Sequence, residues 1–144
     1  MSYFKFYSIV NGCAISYYDS QLRINQSVIS FKYDITNLVV SKSKIFVLYN
    51  KDGCNFDELP RNNIVAYDFN GQYLYDIGHI IQEDWPFSNI KIYNASTINQ
   101  EPLTDTLKFI SDHEYLVCYT FGALRYILDI TNGELVQKVS GRFQ

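Results

Sequence analysis

The chain has no glycine-rich phosphate loop, no serine nucleophile elbow and no paired catalytic carboxylates, so the familiar hydrolase and phosphoryl-transfer signatures are excluded. Its three cysteines, Cys13, Cys54 and Cys118, form no Cys-x-x-Cys pair. An odd count at those spacings argues against both a disulfide framework and a zinc ribbon, and points to reduced thiols, with Cys118 inside an apolar run. No stretch approaches the roughly 18 apolar residues of a membrane helix. The start, Met1-Ser2-Tyr3-Phe4-Lys5-Phe6, lacks the basic head and apolar core of a secretory signal, so a cytoplasmic location is expected. Without a secretory route, the sequons at Asn25 and Asn94 carry no expectation of glycosylation. Positive charge is also short: 12 Lys and Arg against 15 Asp and Glu give 12 − 15 = −3. That balance argues against direct nucleic-acid binding and permits a basic partner.

What is present is apolar and aromatic. At 144 residues with 47% hydrophobic side chains, including 13 Tyr and 10 Phe, the chain is expected to be a single globular domain with a core of its own. Its last third, Leu107 to Val139, reads as four short strands. Leu107 to Phe109 runs into the polar turn Ser111-Asp112-His113-Glu114, Tyr115 to Tyr119 is a nearly continuous β-forming run, and Gly122 marks the next reversal. Ala123 to Asp129 then ends at Asp129-Ile130-Thr131-Asn132-Gly133, and Leu135 to Val139 follows.

The earlier chain repeats parts of this. Tyr3 to Val10 and Cys13 to Tyr18 flank Asn11-Gly12, the strongest short hairpin signal in the sequence. After a turn at Asp19-Ser20-Gln21, a third strand over Ser27 to Tyr33 ends in Asp34-Ile35-Thr36-Asn37, identical to residues 129–132. Between them lies Ile64 to Asp68 with Asn70-Gly71. The middle unit is read as Leu38 to Ser41, Ile45 to Tyr49, Asn63 to Asp68 and Tyr73 to Ile77, with a loop over Asn50 to Asn62. Ile80 to Trp85 is expected to make a helical turn ended by Pro86, Ile90 to Tyr93 is strand-like, and Asn94 to Asp105 reads as a loop inserted before the last unit.

Several of these segments resemble the WD40-type β-propeller repeat. Ser111-Asp112-His113-Glu114-Tyr115-Leu116 is similar to that family's Ser-Pro-Asp-Gly-x-x-Leu hairpin, Leu128-Asp129 stands where its Trp-Asp pair would be, and Asn132-Gly133 matches its Thr-Gly turn. Gly78-His79 falls where such a repeat would open on Gly-His. The resemblance implies an all-β protein, an open half-propeller-like fan of about three antiparallel four-stranded or three-stranded blades, over residues 3–37, 38–78 and 90–140. Three blades do not close a ring. The open edges must pair with a second copy, a partner or the chain's own ends.

Candidate chemistry is sparse. His79 and Glu83 would share a face if Gly78 to Asp84 were helical, with Asp76 nearby, but a metal needs at least three converging ligands. An enzyme built on His79 is therefore the weakest reading; neither a metal nor a cofactor is expected. His113 with Cys118 as base and nucleophile is disfavoured, because a thiol in a buried strand resists ionisation. Asp34, Asp68 and Asp129 are read as carboxylates that accept turn N–H groups. Most of the Tyr and Phe residues are read as core.

Two loops stand apart by composition. Lys51 to Arg61 sets Asp52, Asp57 and Glu58 around Phe56, and Glu83-Asp84-Trp85-Pro86-Phe87 puts two acids beside two aromatics. Rings that fill pockets, flanked by carboxylates that orient a partner, suit capture of a positively charged protein surface. The expected contacts are Asp52, Phe56, Asp57, Glu58, Asp76, His79, Glu83, Asp84, Trp85 and Phe87. A small acidic chain of this kind resembles, in type, the immunity proteins that neutralise toxins of bacterial contact-dependent inhibition systems. That resemblance implies a non-enzymatic binder whose loops plug the cationic cleft of a basic nuclease domain. The alternative is a structural module that completes a propeller as a homodimer through its blade edges.

Overall fold

At Asn11-Gly12 both residues have positive φ, 53° and 76°, and the chain reverses between β1 (Phe6–Val10) and β2 (Cys13–Tyr18). Only a side chain as small as glycine's, or one as locally compensated as asparagine's, takes up that pair without strain. The computed structural model describes residues 6–98, 109–122 and 124–140. Within them the same logic of strand and tight turn repeats to give three four-stranded antiparallel sheets, none closed into a barrel.

The first sheet continues through β3 (Gln21–Ile24) and β4 (Ser27–Ser30). The second contains β5 (Asp34–Val40), β6 (Ile45–Asn50), β7 (Ile64–Tyr67) and β8 (Tyr73–Asp76). The third contains β9 (Phe87–Asn94), β10 (Glu114–Thr120), β11 (Arg125–Asp129) and β12 (Glu134–Val139). Each sheet is a meander in which every strand pairs with its sequence neighbour. The architecture is thus the all-β, open fan of three antiparallel blades expected from the sequence.

The sheets stack on two apolar seams. Ile15, Leu22 and Ile24 of the first sheet meet Ile35, Leu38, Val47 and Val65 of the second. The opposite face of the second sheet, with Phe46, Leu48, Ile64 and Ala66, meets Ile90, Leu116, Cys118, Tyr126 and Leu128 of the third. The central strand β6 is buried on both faces, which is why Ile45-Phe46-Val47-Leu48 reads as an unbroken apolar run. Rings account for much of the aromatic content: Phe31 and Tyr33 both stack on Tyr49, at 5.7 and 6.0 Å between centroids. The outer face of the third sheet is covered by the chain itself, where Ile98, Ala95 and Phe109 pack on Tyr115, Val117 and Ile127.

The structure corrects four local expectations. Asp34-Ile35-Thr36-Asn37 does not close a strand of the first unit but opens β5, tied by the Ile35 N–H to the Asp19 carbonyl at 2.7 Å. The first sheet instead gains β3, a four-residue strand between two tight turns. The first strand of the last sheet is β9, which lies before the Asn94 to Asp105 segment, so that segment falls inside the last unit; Leu107 lies outside the described residues, and Phe109 is not in a strand. The helical turn is a single 3-10 turn at Ile77–His79 rather than over residues 80–85.

The acidic turn residues behave as read at two of three positions. The Asp68 carboxylate accepts from the N–H groups of Asn70 and Gln72, both at 2.9 Å. Asp129, buried, accepts from Thr131 N–H at 2.8 Å and Asn132 N–H at 3.2 Å, and its second oxygen holds His113 Nδ1 at 2.7 Å. Both ends of the β7–β8 and β11–β12 turns are thereby fixed.

Candidate functional site

Loops from two sheets meet at one end of the second seam, and the reason is a set of asparagines. Asn63, fully buried at the start of β7, donates to the carbonyls of Tyr49 (2.8 Å) and Phe87 (2.9 Å) and accepts from the Phe87 N–H (2.8 Å). Asn50 donates to the same Phe87 carbonyl at 3.1 Å. One step earlier, the Asn62 N–H reaches the Trp85 carbonyl at 2.8 Å. Amide side chains supply donor and acceptor together, so one residue can satisfy both groups of a peptide unit where no sheet partner exists. The effect is to fasten the β6–β7 loop, residues 51–63, against the β8–β9 connection, residues 80–86.

On the first loop, Phe56–Glu58 form a 3-10 turn. The Asn55 N–H donates to Glu58 Oε1 at 3.3 Å, Lys51 Nζ lies 3.7 Å from Glu58 Oε2, and the Arg61 guanidinium sits 5.1 Å over the Phe56 ring. Phe56 nevertheless remains half exposed, as do the carboxylates of Asp52, Asp57 and Glu58 around it. Across from it the β10–β11 turn presents Phe121, 48% exposed. Phe56 and Phe121 together divide two clefts. One, about 320 Å³, is walled by Phe56, Trp85, Pro86, Thr120, Phe121 and Leu124. The other, about 470 Å³, lies toward Asp52, Cys54, Leu59 and Ser88.

The sequence-expected contacts separate into three groups. Asp52, Phe56 and Trp85 line the clefts, Asp57 and Glu58 follow Phe56 in its 3-10 turn, and Asp84 precedes Trp85 and accepts from Asn62 Nδ2 at 3.4 Å. Glu83 is exposed but already engaged. It accepts from the Tyr126 hydroxyl in a short bond and from Lys138 Nζ at 2.9 Å, and the Trp85 indole N–H is buried beside it, outside strict hydrogen-bond geometry. These donors, the Tyr126 hydroxyl first, hold the Glu83 carboxyl below the usual carboxylate range. Burial, with the hydrogen bond to Glu83 second, pushes the Tyr126 hydroxyl upward. Asp76 and His79 form a local pair at the 3-10 turn: Asp76 caps the Gly78 N–H at 2.9 Å and lies 3.3 Å from His79 Nδ1. Glu83 does not share a face with His79, because the chain leaves its helical turn four residues earlier.

Phe87 is a correction. Its ring is fully buried, edge-on to Tyr126 at 6.1 Å, and its backbone is the target of the asparagine clamp. It supports the site from beneath, with no ring surface exposed. Phe121, conversely, was missed. A large aromatic immediately before Gly122, at a reversal where polar residues are the rule, was the available signal.

A further recess, about 550 Å³, lies elsewhere, by Lys42, Asn94, Thr97, His113 and Glu114. Several of its polar groups are engaged locally: the Asn94 carboxamide oxygen accepts from the Ser96 and Thr97 N–H groups, Glu114 from the Lys42 N–H, and His113 is held by Asp129. Among the described residues, no three His, Cys, Asp or Glu side chains gather as metal ligands, and no helix is long and apolar enough to cross a membrane. Burial pushes the Cys118 thiol far above its usual range, which disfavours the thiolate that a nucleophile would need.

A family model described as "Domain of unknown function (DUF7957)" matches residues 13–104, from β2 through β9. No curated protein matches the chain.

Proposed function

The chain belongs to the DUF7957 family, and we propose that it is a non-enzymatic protein-binding module that captures a basic partner through the aromatic and acidic end of its second seam. The reading rests on one observation: Phe56 and Phe121 project from separate loops, half exposed, between two clefts, with Asp52 lining one of them and the exposed Asp57, Glu58 and Asp84 following or preceding the lining residues Phe56 and Trp85 in the chain. Exposed rings held by a rigid scaffold are the usual anchors of protein interfaces, and surrounding carboxylates select and steer a cationic surface. Within this reading the three sheets are WD40-like blades that serve as the scaffold. The best-fitting biological role is that of an immunity protein, acting in the cytoplasm and blocking a basic nuclease toxin domain by filling its RNA-binding cleft. The test is copurification with such a domain and inhibition of its nuclease activity, compared with a variant carrying Asp52→Lys, Asp57→Lys, Glu58→Lys and Asp84→Lys. Glu83 is left intact because it holds the structure. Loss of binding in the variant supports the reading, and undiminished binding counts against these loops.

A second reading is favoured by the other end of the fan. The outer face of the first sheet displays Tyr7, Ile9 and Val28 at 59%, 63% and 47% exposure, where a further blade would stack. A homodimer joined there, or along the open edges, would extend the propeller. Light scattering decides it, since a concentration-independent monomer removes this reading.

A further inference from the structure

We infer that the 320 Å³ cleft is the anchor of this interface, and that it takes one large apolar side chain from a partner segment flanked on both sides by Lys or Arg. The inference rests on the protein-binding reading above and adds what the partner must offer. The walls of the cleft are Phe56, Trp85, Pro86, Phe121 and Leu124, with one polar member, Thr120. The Thr120 hydroxyl is committed to its own turn, accepting from the N–H groups of Gly122 (3.2 Å) and Leu124 (3.3 Å) and donating to the Leu124 carbonyl (3.3 Å). A polar ligand would therefore be desolvated there without compensation, whereas an apolar side chain sheds water on both sides. The volume sits at the bottom of the range for small-molecule pockets, room for a side chain rather than for a helix face.

The cleft is also formed in advance. The Trp85 carbonyl is held by Asn62, the next residue but one is clamped by Asn63, and Pro86 stiffens the link between them. Little ordering remains to oppose binding. The rim supplies the charge preference. Arg61 already rests on the Phe56 ring, so the aromatic edge accommodates a guanidinium; Asp57 and Asp84 are exposed and next in sequence to the wall residues Phe56 and Trp85, and Asp52 lines the neighbouring cleft on the other side of Phe56. Anionic flanks on a partner would meet the same carboxylates as repulsion.

Trp85 is the sole tryptophan of the chain and forms part of the wall, so its fluorescence reports occupancy directly. The probes are three synthetic peptides: a leucine between Arg-Lys pairs, the same peptide with serine in place of leucine, and the leucine peptide with Glu in place of Arg and Lys. The cationic leucine peptide should change Trp85 emission and bind about tenfold or more tightly than the serine peptide. Phe121→Ser, at an exposed position, should bring the leucine peptide down to the serine level while the weaker, salt-dependent serine binding persists; Phe56→Ser should do the same. Equal affinity for the leucine and serine peptides would overturn the anchor while leaving a charge-driven interface standing. Equal affinity for the acidic leucine peptide would overturn the cationic partner as well. Absence of any Trp85 response to the cationic leucine peptide up to about 1 mM also overturns the anchor, independently of whether charge reversal weakens capture of a whole basic domain.

Discussion

The two seams of the fan bury side chains of the same kind but are held together differently. Between the first and second sheets the contact is mainly packing: Ile15, Leu22 and Ile24 on one side, Ile35, Leu38 and Val47 on the other, and stacked rings along the edge, with one backbone bond at the margin, from the Ile35 N–H to the Asp19 carbonyl at 2.7 Å, and a weak Cys13 thiol contact to the Phe69 carbonyl at 3.4 Å. Between the second and third sheets the packing is joined by directional amide bonds. Asn37 donates to Asn89 at 2.6 Å and to the Ile90 carbonyl at 3.0 Å, and Asn50 and Asn63 grip Phe87. Apolar contact resists separation but tolerates sliding, whereas a buried amide bond fixes both register and angle. The loops that form the two clefts sit on the seam that cannot slide. A preformed binding cleft needs this, because its walls come from two different sheets.

Breaking each seam once tests the contrast. Asn63→Ala removes a fully buried residue that satisfies three backbone groups, and should cost about 4 kcal/mol in urea denaturation, as orphaned buried partners add their desolvation costs. It should also shift the native Trp85 emission to the red, since Phe87 loses two of its three side-chain amide bonds and residues 85–87 are held less tightly. Leu22→Ala, fully buried in the first seam, should cost about 3 kcal/mol and leave Trp85 emission unchanged. If Leu22→Ala moves the emission as well, the seams are not independent.

The thiols sharpen the same point without mutation. Cys13 lies in the first seam and Cys118 in the second, both buried, and burial raises both thiols above their ordinary range. Each can react only when its own seam opens. Under native conditions, labelling should take Cys54 first, in its partly exposed loop, and then Cys13 at least about tenfold faster than Cys118. Equal rates for the two buried thiols would mean that the fan opens as one unit.

Much of this fan was legible because local chemistry and final structure agree. Asn11-Gly12 and Asn132-Gly133 make turns because glycine at φ 76° and 77° is unstrained, and the middle sheet follows the apolar pattern almost strand by strand. The identical tetrapeptides misled, because what surrounds them differs. Asp129 is buried and collects N–H groups and His113, whereas Asp34 is exposed and its neighbour Ile35 pairs with the Asp19 carbonyl. Strand β3 escaped because Leu22-Arg23-Ile24 offers just two apolar positions between turns. The acidic, aromatic composition marked two loops of the candidate site. Their convergence depends on Asn50, Asn62 and Asn63, whose bonds span residues far apart in the chain, and no local pattern encodes those partners.

The smallest expected effect concerns the rim of the second seam, where Glu83 ties the β8–β9 connection to Tyr126 and Lys138. Because its folded pKa lies below the ordinary value near 4.5, Glu83 contributes stability above that pH and loses the contribution as pH falls through the folded pKa. The Tyr126 hydroxyl is the leading cause of the depression, so Tyr126→Phe should lower stability slightly at neutral pH and flatten the loss below pH 4.5. Urea midpoints measured from neutral to acidic pH read both effects. Leu22→Ala, in the seam without such a pair, should keep the wild-type acid slope even though it costs far more at every pH. A wild-type acid slope in Tyr126→Phe would mean that the hydroxyl bond does not hold the connection. The connection would then be held by the asparagine clamp, the Asn62 N–H to the Trp85 carbonyl and the Lys138–Glu83 pair.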